Sequence, residues 1–203
     1  RPCQRVANAA IGPIEPPKFF TQQLGPPTAM AATIFEAVKN GDIGSMNGFM
    51  DSDDFDIDAK DENGATALHN AAAAGEAAGG SLLVECDADV NCVDKEGNTP
   101  LILAGINDKR LVASMLLWGG ADRQLVNAKG NTALHEAAIK GSHDVSWLIV
   151  ENGGDDTVLI KNADGKTPVE LAHISGNQEL IELLEKTETE VKGAAAKVAA
   201  QDA

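Results

Sequence analysis

Apolar residues fall along the chain in paired bursts. An alanine-rich run such as ALHNAAAA (67–74) is followed by a short break, a second apolar run such as SLLV (81–84), and a polar stretch, CDADVNCVDKEG (86–97). The order returns with PLILAGI and LVASMLLW before GGADRQLVNAKG, and again with ALHEAAIK and DVSWLIV. Apolar runs of that length, separated by glycine and polar residues, predict helices packed in pairs, with the polar stretches as connecting loops. No run of about 18 apolar residues occurs, so the pattern contains no membrane span.

The bursts have a period. Gly64, Gly97, Gly130 and Gly165 lie 33, 33 and 35 residues apart, each opening Gly-x-Thr-(Ala/Pro)-(Leu/Val): GATALH, GNTPLI, GNTALH, GKTPVE. Self-similarity at a fixed period marks a stack of supersecondary units. Over roughly residues 30–187 the chain resembles the ankyrin repeat family. The resemblance implies an all-α solenoid of helix-turn-helix units with short hairpin loops. It divides the chain into an extended Pro-rich tail (1–29), a cap (30–62), units at 63–96, 97–129, 130–164 and 165–187, and an Ala-rich tail (188–203). Three departures mark local irregularities: Gly79 and Gly80 stand where the family has aliphatics, Asp108 replaces the inter-helix Gly, and GGDDTVLIKNADG carries a two-residue insertion. Glycine inside a helix costs on the order of 1 kcal/mol relative to alanine, so the second helix of the first full unit is expected to be short, late-starting or frayed. Aliphatics at both glycines are expected to raise the melting temperature.

Thr66, Thr132 and Thr167 precede Ala or Pro at the start of first helices, where a hydroxyl caps free amides and Pro costs nothing. His69 and His135 follow three residues later. In the family this imidazole resembles a staple to the neighbouring turn, and no repeated Cys, Asp or Glu stands at ligand spacing to favour a metal. His143 and His173 fall outside that position. Close packing of adjacent first helices accounts for Ala71-Ala72 and Ala137-Ala138, while Leu82, Leu83, Leu116, Leu117, Leu148, Ile149, Leu183 and Leu184 are expected to fill the other side of the core.

Composition sharpens this picture. With five Phe, two Trp and no Tyr in 203 residues, the core must be aliphatic. Formal charge is −15, with 11 basic against 27 acidic residues between 30 and 187, which repels a nucleic acid backbone. Three cysteines at spacings unlike a zinc site, and no glycosylation sequon, point away from a disulfide-stapled secreted domain and towards a reducing compartment. In DSDDFDID, Asp54, Asp56 and Asp58 match the first three ligand positions of an EF-hand, but Ala59 and Ala65 stand where Gly and Glu are needed, leaving a solvated acidic loop with at most a weak cation site. No nucleophile elbow, phosphate loop, paired catalytic carboxylates or Cys/His arrangement emerges, so no enzyme activity, cofactor or small-molecule substrate is expected.

Six of the eight prolines precede residue 30, and the tail they stiffen carries Phe19 and Phe20 as apolar anchors for a partner surface. The chain begins at Arg, and its first 14 residues carry two Arg and no acid. That fits the remainder of a trimmed organelle-targeting peptide, hence plastid stroma or mitochondrial matrix; a chain boundary without biological meaning is the competing reading, with the cytoplasm as the alternative. Gly193 is expected to interrupt any helix in the C-terminal tail, which reads as polar or as a short docking helix.

The resemblance implies function through exposed positions of the hairpin tips and the first-helix face. Carried onto this sequence, these are Glu62, Asn63, Ala65, Ala73 and Ala74; Lys95, Glu96, Asn98, Ile106 and Asn107; Lys129, Asn131, Ile139 and Lys140; and Asp164, Lys166, Ile174 and Ser175. The expected role is a non-catalytic, soluble scaffold or linker subunit of a protein assembly, compatible with peripheral contact to a membrane complex. The alternative is a regulator or inhibitor that binds an enzyme transiently through the concave face.

Overall fold

The computed structural model describes residues 34–52 and 55–201. The Pro-rich tail with Phe19 and Phe20, and Asp54 of the acidic loop, lie outside the described residues. Helix α1 covers 34–39 and is followed by α2 (Ile43–Met50). Four further pairs follow: α3 (Ala67–Ala74) with α4 (Ala77–Glu85), α5 (Pro100–Ile106) with α6 (Arg110–Trp118), α7 (Ala133–Lys140) with α8 (His143–Ile149), and α9 (Pro168–Ser175) with α10 (Gln178–Gln201). No strand occurs among the described residues.

Each first helix starts where the sequence signals it. Thr99 Oγ1 accepts from the Ile102 amide at 3.2 Å, and Thr132 and Thr167 cap the His135 and Glu170 amides at 3.4 Å. Pro100 and Pro168 occupy the first turn, where a missing N–H loses nothing. The third helical position closes the reciprocal bond of a capping box: Glu170 Oε2 accepts from the Thr167 amide, and in two other units a histidine ring nitrogen does the same.

First helices pack in the order α3, α5, α7, α9, and second helices α2, α4, α6, α8 and α10 form a parallel layer. The repeat period writes the core as columns. Ala71, Ala104, Ala137 and Ala172 are fully buried in the first layer, and Leu83, Leu116, Ile149 and Leu184 in the second. Small side chains are required where first helices meet: a Cβ at Gly105, in register with Ala72 and Ala138, would stand 2.8 Å from the Ala133 carbonyl oxygen. Leu82 and Leu183 are half-buried, and the other second-helix residues named from sequence are buried.

Three expectations are corrected. Helix α4 is neither short nor late: it has nine residues, as α6 does, and contains Gly79 and Gly80, both buried. The space that aliphatics would take is already filled, since a Cβ at Gly80 would lie 2.5 Å from Met115 Cε and one at Gly79 3.2 Å from Met46 Sδ. Replacing both glycines by leucine is therefore expected to lower the melting temperature. Overpacking costs about 1–3 kcal/mol per site and outweighs roughly 1 kcal/mol of helix propensity gained at each. Thermal denaturation checks this, and a rise would show that the methionines yield freely. Asp108 causes no irregularity, because it adopts φ +53° and turns the chain as Gly75, Gly141 and Gly176 do. Gly193 interrupts nothing: α10 runs 24 residues, about 36 Å at 1.5 Å per residue, so the Ala-rich segment continues the last helix. Cys92 is a free, half-buried thiol. The insertion is absorbed after α8 by a π turn (Val150–Gly154) and a 3-10 turn (Asp155–Leu159).

Candidate protein-docking surface

The hairpin tips are built by one side chain per unit. Asp61, Asp94, Asn127 and Asn162 each stand three residues before a repeat glycine, and the Oδ1 of each accepts two backbone amides, two and four residues on, at 2.8–3.1 Å. Such Asx turns fold the backbone locally. Neighbouring tips are then joined by main-chain bonds: Lys95 N to Asn63 O at 3.0 Å, Ala128 N to Glu96 O at 2.9 Å, and Ala163 N to Lys129 O at 3.1 Å. The result is one row of tips across the stack. The sequence reading did not single out these four residues, although their fixed offset from each glycine was a legible signal.

Glu62, Asn63, Lys95, Glu96, Lys129, Asp164 and Lys166 are exposed on this row, and Ala65 is half-buried. Lys95 is committed, its ammonium donating to the Glu62 carbonyl at 2.6 Å. Asn98 and Asn131 do not face outwards: each is 3 % exposed. Asn98 accepts from Asn127 Nδ2 at 3.1 Å, and Asn131 accepts from Asn162 Nδ2 at 2.8 Å and donates to Glu136 Oε1 at 2.8 Å. Their amides hold units together, which removes both from the partner-facing set.

The first-helix face carries an apolar row. Ala73, Ile106, Ile139 and Ile174 stand in one register at the ends of α3, α5, α7 and α9, with Ile106 half-buried, Ile139 48 % and Ile174 69 % exposed. Ala74, Asn107 and Lys140 are exposed beside them, whereas Ser175 is half-buried with its hydroxyl donating to the Ala172 carbonyl. Between row and tips lies a cavity of about 360 Å³ lined by Lys129, Asn131, Glu136, Ile139, Asp164 and Leu171 among others. A second apolar patch, which the sequence reading did not pick out, lies on the second-helix layer: Leu111 and Trp118, one heptad apart on α6, are 72 % and 86 % exposed, and Trp147 on α8 is 41 % exposed.

The repeated histidines are structural. His69 Nδ1 accepts from the Thr66 amide at 3.1 Å, so Nε2 carries the proton and donates to the Asn98 carbonyl of the next unit at 2.9 Å. His135 repeats this between the Thr132 amide at 3.2 Å and the Lys166 carbonyl at 3.2 Å. Burial pushes both imidazoles below their ordinary value, against the opposing pull of those carbonyls. Among the described residues no group of three His, Cys, Asp or Glu could hold a metal ion. In the acidic loop, Asp56 caps the Asp58 amide and Asp58 accepts from the Asp89 amide, so these carboxylates serve turns. The Cys92 thiol is raised by burial and lies against Thr66 and His69.

Residues 34–122 and 105–193 match the family model for ankyrin repeats, in three copies. No curated protein matches the chain. No helix among the described residues is long and apolar enough to cross a membrane.

Proposed function

Because the chain belongs to the ankyrin repeat family, a family of protein–protein interaction modules, we propose that it acts without catalysis, as a scaffold or linker subunit of a larger protein assembly. The observation that carries this reading is the apolar row of half-buried Ile106 and exposed Ile139 and Ile174, set beside a line of rigid, charged hairpin tips. Apolar side chains held in register on stiff helices offer a partner buried area at small entropic cost. The mixed charges of the tips, Glu62 and Glu96 beside Lys129 and Lys166, supply register and selectivity. Burying each isoleucine contributes about 1–2 kcal/mol, so the pair with the greatest exposure dominates.

The test is native co-purification, with cross-linking and mass spectrometry, of the full chain and two variants. Ile139→Glu with Ile174→Glu is expected to weaken the recovered complex by tenfold or more, while Trp118→Glu on the second-helix layer leaves it intact. If Trp118→Glu alone removes the partner, the docking face is the other one.

A further inference from the structure

The cavity between the third and fourth units has its polar capacity spent in a particular way. Asn127 Nδ2 donates to Glu136 Oε1 at 3.0 Å and Asn131 Nδ2 to the same oxygen at 2.8 Å, while Asn162 Nδ2 donates to Asn131 Oδ1 across tips and Asn162 Oδ1 accepts within its own tip. Each of these amides is thereby fixed in place, and both oxygens, Asn131 Oδ1 and Asn162 Oδ1, are already accepting. Glu136 is different. It is 9 % exposed, both of its donors are neutral and reach one oxygen, and its other oxygen takes no donor from the described residues. Nor does Glu136 form an ion pair there. Asp164, exposed at the rim, has neither carboxylate oxygen engaged by the described residues, only its backbone amide. Against these two carboxylates the lining holds one ammonium, that of Lys129, so the cavity is net negative, with Ile139, Leu171 and Ala163 as apolar wall.

We propose that this cavity is the seat of a cationic side chain, lysine or arginine, carried by the protein that docks on the first-helix face; it deepens the docking reading above and rests on it. A guest ammonium or guanidinium would give the free Glu136 oxygen and the Asp164 carboxylate the ion-pair partner that neither has among the described residues. The hydrogen bonds it makes are charge-assisted, the strongest class available to side chains. Its methylene stem lies along Ile139 and Leu171, as long basic side chains do on apolar surface. The formal charge of −15 on the chain draws such partners at the encounter stage.

The experiment reads the cavity directly. The full chain, labelled at isoleucine and leucine methyls and at amide nitrogen, is titrated with N-acetyl-arginine amide, N-acetyl-lysine amide and the uncharged N-acetyl-citrulline amide. Saturable shifts at the Ile139 and Leu171 methyls and the Asn131 side-chain amide are expected with one or both cations and not with citrulline. Glu136→Gln retains an oxygen to accept from Asn127 and Asn131, and is expected to weaken the cation by tenfold or more, equivalent to about 1.4 kcal/mol. Asp164→Asn, on an exposed tip, is expected to weaken it severalfold and decides the matter if the first variant does not fold. Equal shifts with citrulline, or affinity undiminished in either folded variant, overturn the proposal. Failure here with loss of partner in the isoleucine variants removes the cavity and leaves the docking face. Cation binding with no partner loss in those variants does the reverse.

Discussion

Replacing Gly130 by alanine is expected to cost about 3 kcal/mol of stability, against about 1 kcal/mol for the same change at Gly165. The two glycines hold the same place in successive hairpins and nearly the same conformation, φ +72° and +76°. An L-residue in that region costs about 1–2 kcal/mol for its own backbone, a charge common to both. Their surroundings differ. A Cβ at Gly130 would stand 2.7 Å from the Ala163 backbone nitrogen and 3.2 Å from the Asn162 carbonyl carbon, whereas none of the atoms around Gly165 comes within 4 Å of one there. Backbone cannot swing aside as a side chain does. The tip at 162–164 must therefore move, at the expense of the bond from Ala163 N to the Lys129 carbonyl and of the Asn162 to Asn131 link. Paired equilibrium denaturation of the two variants measures the difference. Equal losses would mean that the tips are compliant, and the rigid row invoked for docking would lose its basis.

The second large effect is expected at the repeated histidines. His69→Ala and His135→Ala each strand a buried threonine amide and a carbonyl of the next unit, buried at Asn98 and part-buried at Lys166, and each is expected to cost about 1–3 kcal/mol. His143→Ala and His173→Ala, on half-buried and exposed rings, should stay within about 0.5 kcal/mol. The same rings make stability depend on pH with a definite sign. Burial holds the imidazoles of His69 and His135 below their ordinary 6.5, so the unfolded chain takes up protons first as pH falls. Their contribution is complete above about pH 6.5, is lost as pH falls from there towards the folded-state values, and levels off once both states are protonated. A double variant, His69→Gln with His135→Gln, should flatten that part of the stability curve. An undiminished slope in that variant would place the titration elsewhere, and loss of partner affinity without loss of stability would contradict the staple role.

Much of this molecule was legible in its sequence because the repeat makes local signals periodic. Threonine before a helix, proline in its first turn, and glycine where the chain turns left-handed act within a few residues of themselves, so their meaning does not wait for tertiary contacts. The aliphatic columns are legible for the same reason: Leu83, Leu116, Ile149 and Leu184 recur with the period of the stack and are all fully buried. The isoleucine row follows from the same register.

What sequence reasoning misjudged involves neighbours from other units. Gly79 and Gly80 read locally as helix breakers, but Met46 from the cap and Met115 from the next unit fill the space above them, and packing outweighs propensity. Gly193 likewise does not stop α10, whose first half is anchored by Leu180, Ile181 and Leu184 on the stack, so one exposed glycine costs too little to end the helix. Asn98 and Asn131 occupy pattern positions that point outwards in the abstract, yet side-chain amides one unit away draw them into a buried ladder. The charged cavity is also a tertiary product: Glu136 comes from a helix, Asp164 from the following hairpin and Leu171 from the following helix. The period alone determined the fold and the identity of its core. Stacking, which brings residues about 33 positions apart into contact, decided which polar side chains are spent on the structure and which remain free to meet a partner.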